Sequence, residues 1–138
     1  ISHLPPKFNH EGAIDCVYDV KIGETFEKDG EKFFKGNVIK DRHIGEHLVY
    51  EGRAVLRVNE RNEGVKKLSD LLIGRGINFS VSGHYHLNRG ANNFERNIKE
   101  GEESLYLFMN PGAAQFDNAG ILIINGESAR YELLEVGK

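Results

Sequence analysis

The sequence has little of what builds covalent cross-links or membrane spans. Its 138 residues include one cysteine, Cys16, and no tryptophan. A single cysteine excludes an internal disulfide and is typical of a reducing compartment. Apolar runs such as residues 121–124 fall far short of the roughly 20 residues of a membrane helix, and the N-terminus lacks the basic and apolar regions of a signal peptide. We therefore expect a soluble, cytoplasmic protein without a membrane partner.

An excess of basic charge is also missing. Eighteen Lys and Arg residues face 21 Asp and Glu residues, which gives a formal net charge of -3. Long nucleic acids and anionic membranes bind dense basic patches, so this balance argues against nucleic acid as a partner. The hydrophobic share of 39% and the charged share of 28% are typical of a globular chain. The length predicts a single domain over residues 1–138.

Methionine is scarce as well, and the chain begins with Ile1. Such a start fits a mature or vector-derived terminus, or the downstream part of a longer protein. We expect the second case, with residues 1–138 forming the C-terminal portion of that protein.

Local patterns predict a mixture of helix and strand. Lys28-Asp29-Gly30 is a turn signal, so we expect residues 23–36 to form a hairpin or a surface excursion. Gly52 predicts a second hairpin within residues 48–58. Asn62 is the expected N-cap of a helix that ends at Gly74 or Gly76, with one apolar face formed by Val65, Leu68, Leu71 and Leu72.

The second half of the chain predicts further strands. Residues 77–81 and 105–109 are expected strands, separated by a polar loop over 83–93. Asn125-Gly126 predicts the turn of a terminal hairpin that spans residues 119–136. The fold class is therefore mixed α and β.

The histidines are the residues best suited to chemistry. Gly83-His84-Tyr85-His86 follows an expected strand, and two imidazoles two residues apart can bind one metal ion or two adjacent ions. His3 precedes Pro5-Pro6, which stiffen its loop. His43 and His47 are spaced i, i+4 but lie in a segment without a helical apolar pattern. His10 has no visible partner.

In chain order, three segments resemble the last motifs of the calcineurin-like metallophosphoesterases. They are SHLPP at residues 2–6, SGHYH at 82–86 and NPGA at 110–113. The resemblance covers residues 1–16 and about 59–138, whereas 17–58 looks like a variable insertion. It implies part of a four-layer α/β/β/α sandwich with mixed sheets and a closing β-hairpin.

The resemblance also implies a metal-dependent phosphoesterase. His3 and His84 would bind one ion of a two-metal centre and His86 the other, with a bridging hydroxide attacking the phosphoester substrate. Imidazole suits Mn, Fe, Zn, Co or Ni. Tyr85 and Arg89 are candidate substrate-binding residues, although Tyr85 can equally point into packing and Arg89 into solvent.

The family's upstream motifs, Asp-x-His, Gly-Asp and Gly-Asn-His-Asp or -Glu, have no counterpart at the expected place. Asp41-Arg42-His43 has the first spacing but lies between the downstream motifs. No catalytic residue can therefore be named, and we expect the chain alone to hydrolyse phosphoesters poorly or not at all. Its sheet should present a surface either to the missing upstream half or to a second copy.

Two other functions remain open from the sequence. The first is a non-catalytic, phosphoesterase-like interaction domain or an inactive fragment, for which retained histidines would have no physical use. The second is a small protein with a structural zinc site, which would need His or carboxylate ligands beside Cys16.

Overall fold

The structure is a computed structural model that describes residues 1–39, 54–85 and 88–137. Nine strands, one α-helix and one 3₁₀ turn occur in these ranges. In chain order they are β1 (Cys16–Lys28), β2 (Glu31–Ile39), β3 (Ala54–Asn62), α1 (Lys66–Arg75), β4 (Phe79–Val81), β5 (Gly90–Asn92), β6 (Asn97–Ile98), β7 (Leu107–Asn110), the 3₁₀ turn Ala114–Phe116, β8 (Asn118–Asn125) and β9 (Ser128–Glu135). The fold is therefore mixed α and β, dominated by strands.

The chain divides into two compact units. One comprises residues 1–16 and 62–138, and the other comprises residues 17–61. We call them the main unit and the inserted unit. The inserted unit has nearly the bounds of the predicted insertion at 17–58, and its variability stays a prediction. Among the described residues, no helix has both the length and the apolar character needed to cross a membrane.

The inserted unit is a three-stranded sheet in the order β2-β1-β3. β1 and β2 pair antiparallel through Lys28↔Glu31, which leaves Asp29 and Gly30 as a two-residue turn. Both turn residues have positive φ angles, 55° and 80°, as a type I′ turn requires. This confirms the predicted hairpin at 23–36. The predicted hairpin at 48–58 lies mostly outside the described residues.

The main unit is built on a four-stranded sheet in the order β4-β7-β5-β6. β4 and β7 run parallel, whereas β5 is antiparallel to both of its neighbours. The sequence predicted β4 and β7 but placed residues 83–93 in a loop, so β5 was missed. Three residues without a clear alternating pattern give too weak a signal for a strand. β7 also begins two residues later than predicted, since Leu105 and Tyr106 precede it and are about half exposed.

One face of this sheet packs against the terminal hairpin of β8 and β9. The core there contains Leu107, Met109 and Tyr131, with Phe79 and Leu122 packed at its edge. A Cβ at position 120 would collide with the Met109 side chain, so glycine permits the close approach of β8. The opposite face is covered by an aromatic cluster, in which the Phe108 ring lies 5.5 Å from Phe8 and 4.7 Å from Phe94.

The terminal hairpin is confirmed, but its turn lies one residue further along than predicted. Asn125 pairs with Ser128, so Gly126 and Glu127 form the turn instead of Asn125-Gly126. Gly126 has a φ of 64° and Glu127 is not in the positive-φ region. This is the pattern of a type II′ turn, which requires glycine at the first central position.

The helix is confirmed, and it ends at one of the two predicted glycines, but its predicted N-cap was wrong. Its N-cap is Val65, and Gly74 lies inside the helix, which ends at Gly76 in the left-handed conformation. Leu72 is buried, whereas Leu71 on the expected apolar face is 49% exposed. Asn62 does not cap the helix because it is the last residue of β3, three positions before the N-cap, and its side-chain amide donates to Asp15 Oδ1 at 2.9 Å. Tertiary hydrogen bonding has overridden a local capping preference here.

Asp15 is the buried polar centre of the main unit. Its side chain is fully inaccessible, and Oδ2 accepts hydrogen bonds from the backbone N–H groups of Phe8 at 3.0 Å and Gly64 at 3.1 Å. Together with the Asn62 bond, one carboxylate thus joins the N-terminal loop to the segment that enters α1. A Cβ at Gly64 would collide with the Pro6 carbonyl, so the two segments can approach this closely only with glycine there.

We predict that Asp15→Ala lowers the free energy of unfolding by about 3 kcal/mol or more, because it leaves buried N–H donors without an acceptor. Asp15→Asn, which keeps one carbonyl oxygen, should cost less. Urea unfolding followed by circular dichroism measures both. Asp70→Ala is the matched control, since Asp70 is exposed and pairs only with Lys66 at i, i-4; its cost should stay below about 0.5 kcal/mol. Equal losses of unfolding free energy in Asp15→Ala and Asp70→Ala would contradict the role assigned to the Asp15 carboxylate.

A second prediction concerns alkaline pH. Burial raises the pKa of Tyr131, with a smaller contribution from the charge of Glu100, and its hydroxyl donates to the Ile98 carbonyl at 2.7 Å. Because the folded pKa exceeds the unfolded value of about 10, this stabilisation is complete below pH 10 and is lost as pH rises through the folded pKa. Between pH 9 and pH 11, the free energy of unfolding measured with urea should decline less in Tyr131→Phe than in the parent chain. Equal declines would refute the prediction.

Candidate functional site

The candidate site lies where two chain segments leave the same edge of the central sheet. The N-terminal segment runs beside β4 in a parallel bridge between Ser2 and Ser82. The Ser2 N–H donates to the Val81 carbonyl at 2.9 Å, and the Gly83 N–H donates to the His3 carbonyl at 3.0 Å. The residues that follow both segments, including His3 and His84, therefore emerge at the carboxyl end of β4. Ligand sites in parallel sheets commonly form at this edge.

His3 and His84 are brought together at this edge. His84 Nδ1 lies 3.1 Å from His3 Nε2, and the two rings meet edge to face with centroids 4.9 Å apart. Two nitrogens that bind the same ion at 2.0–2.1 Å lie about 2.9 Å apart in octahedral geometry and about 3.3 Å apart in tetrahedral geometry. The observed separation falls between these values. It also permits a direct hydrogen bond when one ring donates and the other accepts.

The backbone of His84 is held in an unusual conformation. Its φ is 71°, in the left-handed region that side chains other than glycine seldom adopt. Such strain persists only where the surrounding structure enforces it, and it is common at binding and catalytic sites. Here the flanking hydrogen bonds of Gly83 and Tyr85 enforce it, because the Tyr85 N–H also bonds back to the Gly83 carbonyl at 2.9 Å.

Asn110 fixes the same loop from the next strand. It is fully buried at the end of β7, and its amide donates to the Tyr85 carbonyl at 2.8 Å. Its Oδ1 accepts from the Gly112 N–H at 2.9 Å, which shapes the Asn110-Pro111-Gly112 turn. The NPGA motif at residues 110–113 is visible in the sequence, but its contact with the histidine loop is not. The only signal was an asparagine directly before Pro-Gly at a strand end, which is too general to predict a partner 25 residues away.

The two candidate substrate-binding residues have other contacts. Tyr85 is 2% exposed, and its hydroxyl donates to the Glu63 carbonyl at 2.9 Å. Arg89 Nη2 donates to the Leu134 carbonyl at 3.0 Å and to the Ala119 carbonyl at 3.4 Å. These contacts favour packing for Tyr85 and attachment of the terminal hairpin for Arg89. A substrate contact for either residue stays a prediction.

Among the four other histidines, only His10 lies within the described residues. His86, His43 and His47 lie outside the described residues. His10 Nε2 lies 3.2 Å from the Asn93 carbonyl oxygen, and its Nδ1 lies 3.3 Å from that of Glu11. Within residues 1–39, 54–85 and 88–137, no three His, Cys, Asp or Glu side chains are grouped closely enough to hold a metal ion. The described site is therefore a pair of imidazoles.

Comparisons with known proteins identify no family for this chain. No protein-family model, no curated protein and no solved structure matches the chain.

The conformation of His84 generates a direct test. His84→Gly should have a free energy of unfolding about 1 kcal/mol higher than His84→Ala, because alanine keeps the left-handed strain and glycine relieves it. Urea unfolding of the two variants gives the difference. The same pair of substitutions at His3, which is not in the positive-φ region, should reverse the order or abolish it. An alanine variant at position 84 as stable as the glycine variant would show that the loop relaxes out of this conformation.

Proposed function

We propose that this chain supplies the histidine ligands of a two-metal centre in a metal-dependent phosphoesterase. His3 and His84 would bind one divalent ion, and His86 would bind the second. Imidazole nitrogens suit Mn, Fe, Zn, Co or Ni, so the donor set fits such ions without selecting among them.

The observation that carries the proposal is the 3.1 Å separation of His84 Nδ1 and His3 Nε2. These residues are 81 positions apart in sequence, and the backbone hydrogen bonds of Ser2 with Val81 and of Gly83 with His3 place them side by side. His3 is exposed and His84 is partly exposed, so both imidazoles are accessible to an ion from solvent.

The chemistry assigned to the chain is limited to holding ions. Two divalent ions about 3.5 to 4 Å apart, when bound, would activate water and stabilise the charge of the phosphoryl group during in-line attack. His3, His84 and His86 would orient these ions, and Asn110 would fix the loop that carries two of the three ligands. Carboxylate ligands are absent from the described pair, so we propose that they come from a further segment of the same protein or from a second copy.

The same proposal extends to the fold. The central sheet and the terminal hairpin would form part of a four-layer α/β/β/α sandwich that a further segment completes. The outer face of the hairpin supports this, since Ile121 and Leu134 remain 43% and 40% exposed there. The register places Ala119 opposite Leu134 and Ile121 opposite Glu132, so both apolar side chains share the face opposite Leu122 and Tyr131. An apolar strip of this kind is suited to a partner surface.

Metal content tests the proposed function. The purified chain is loaded with Mn²⁺, freed of unbound ion and measured by mass spectrometry, with light scattering on the same sample to give its mass. We expect less than one ion per monomeric chain, with His3→Ala and His84→Ala each weakening binding at least tenfold. His10→Ala is the matched control and should bind as the parent does.

Two ions per chain in a self-associated species would support completion of the centre by a second copy. Binding that is unaffected by both histidine variants would refute the metal site and favour a non-catalytic interaction domain. Metal-dependent phosphoester hydrolysis by the isolated monomer, lost in His84→Ala and His86→Ala, would show that the chain is complete and contradict the need for added carboxylates.

A further inference from the structure

A second candidate site lies apart from the histidine pair, in a groove between the N-terminal loop and helix α1. The groove has a volume of about 440 Å³, which is within the range of small-molecule sites. Six residues carry its chemistry: Lys7, Phe8, Lys66, Asp70, Ile73 and Phe94. None of them takes part in the proposed phosphoesterase site, so this inference does not depend on that function.

The floor of the groove is aromatic and rigid. The rings of Phe8 and Phe94 have centroids 5.8 Å apart, and each ring also contacts Phe108 beneath them. The loop that carries Phe94 is fixed by Asn93, whose Oδ1 accepts from the N–H groups of residues 95 and 96 at 2.8 Å. Phe8 is only 3% exposed, whereas Phe94 is partly exposed, so Phe94 is the ring on which a flat aromatic group can pack.

The walls are also fixed in place. The Lys7 N–H donates to the Val65 carbonyl at 3.3 Å, and the Ser69 hydroxyl donates to the Lys7 carbonyl at 2.7 Å. These bonds hold the N-terminal loop against the first turns of α1. On the same helix Ile73 is 64% exposed and forms an apolar wall that nothing in the described chain covers. A preformed groove binds without a large ordering cost.

The rim of the groove carries a positive charge, whereas the chain as a whole has a net negative charge. Lys66 is paired with Asp70 at 3.2 Å, and these two charges offset one another. Lys7 has no ion-pair partner among the residues that the structure describes, so its ammonium leaves one positive charge at the rim. An occupant with one negative charge would complement it.

We propose that this groove binds a small aromatic anion: a flat apolar ring that packs against Phe94 and Ile73 and carries one acidic group toward Lys7. The apolar floor and wall select the ring, and the rim ammonium selects the charge. Neither feature alone would define an occupant, but together they specify this ligand class.

Naphthalene-2-carboxylate and the neutral naphthalene-2-carboxamide are matched probes for the proposal. Each is titrated into the ¹⁵N-labelled full chain, and amide chemical shifts are followed. For a ligand of this size we expect the carboxylate to bind with a dissociation constant on the order of 1 mM. Shifts should be confined to residues 7–9, the helix and the loop around Phe94. The carboxamide should bind about fivefold more weakly, and Lys7→Gln should remove that difference.

Two further variants make the test specific. Ile73→Glu places a carboxylate on the apolar wall and should weaken naphthalene-2-carboxylate binding at least tenfold. Ile124→Glu is the matched control, because Ile124 is 59% exposed on the terminal hairpin outside the groove, and it should bind as the parent does. Shifts spread over many exposed apolar residues, equal binding of the two probes, or equal effects of the two variants would each overturn the proposal.

Discussion

One buried carboxylate supports the arrangement on which the rest of the main unit depends. Asp15 accepts two backbone N–H groups and one side-chain amide from segments that are more than 50 residues apart in sequence. Those bonds compensate for its burial, which would otherwise destabilise the fold. They also set the path of the N-terminal loop, so that the chain before it can reach β4 and the chain after it can reach the core. Both candidate sites use this loop, His3 at its start and Lys7 and Phe8 further along.

Two buried asparagines at the sheet also hold irregular segments through side-chain to backbone hydrogen bonds, as Asp15 does. Asn92 accepts from the Ile14 N–H at 2.8 Å, and Asn110 holds the histidine loop through the Tyr85 carbonyl. Each amide joins a strand end to a loop that has no regular partner of its own. Side-chain to backbone bonds of this kind let irregular segments be buried without unsatisfied groups. These two amides thereby position the segments of Ile14 and Tyr85 against the strand ends that hold them.

Strong local signals in the sequence predicted much of the fold. The Asp29-Gly30 turn, the helix and the terminal hairpin follow from turn chemistry and from apolar spacing, which act within a few residues. The errors have a common cause in long-range contacts. Asn62 bonds to Asp15 instead of capping α1, and β5 exists because β7 is available to pair with it. The proximity of His3 and His84 was expected only through a family resemblance, because no local pattern links residues 81 positions apart.

That separation has an energetic consequence for any ion that both imidazoles hold. In the unfolded chain, the same chelate would have to close a loop of 81 residues, at an entropic cost of about 4.5 kcal/mol. In the folded chain the sheet has already closed this loop through the bridge between Ser2 and Ser82. Loop closure alone would therefore make the binding constant of a shared ion about three orders of magnitude larger in the folded chain than in the unfolded chain. An ion held by both imidazoles would reversibly link the N-terminus to the middle of the chain.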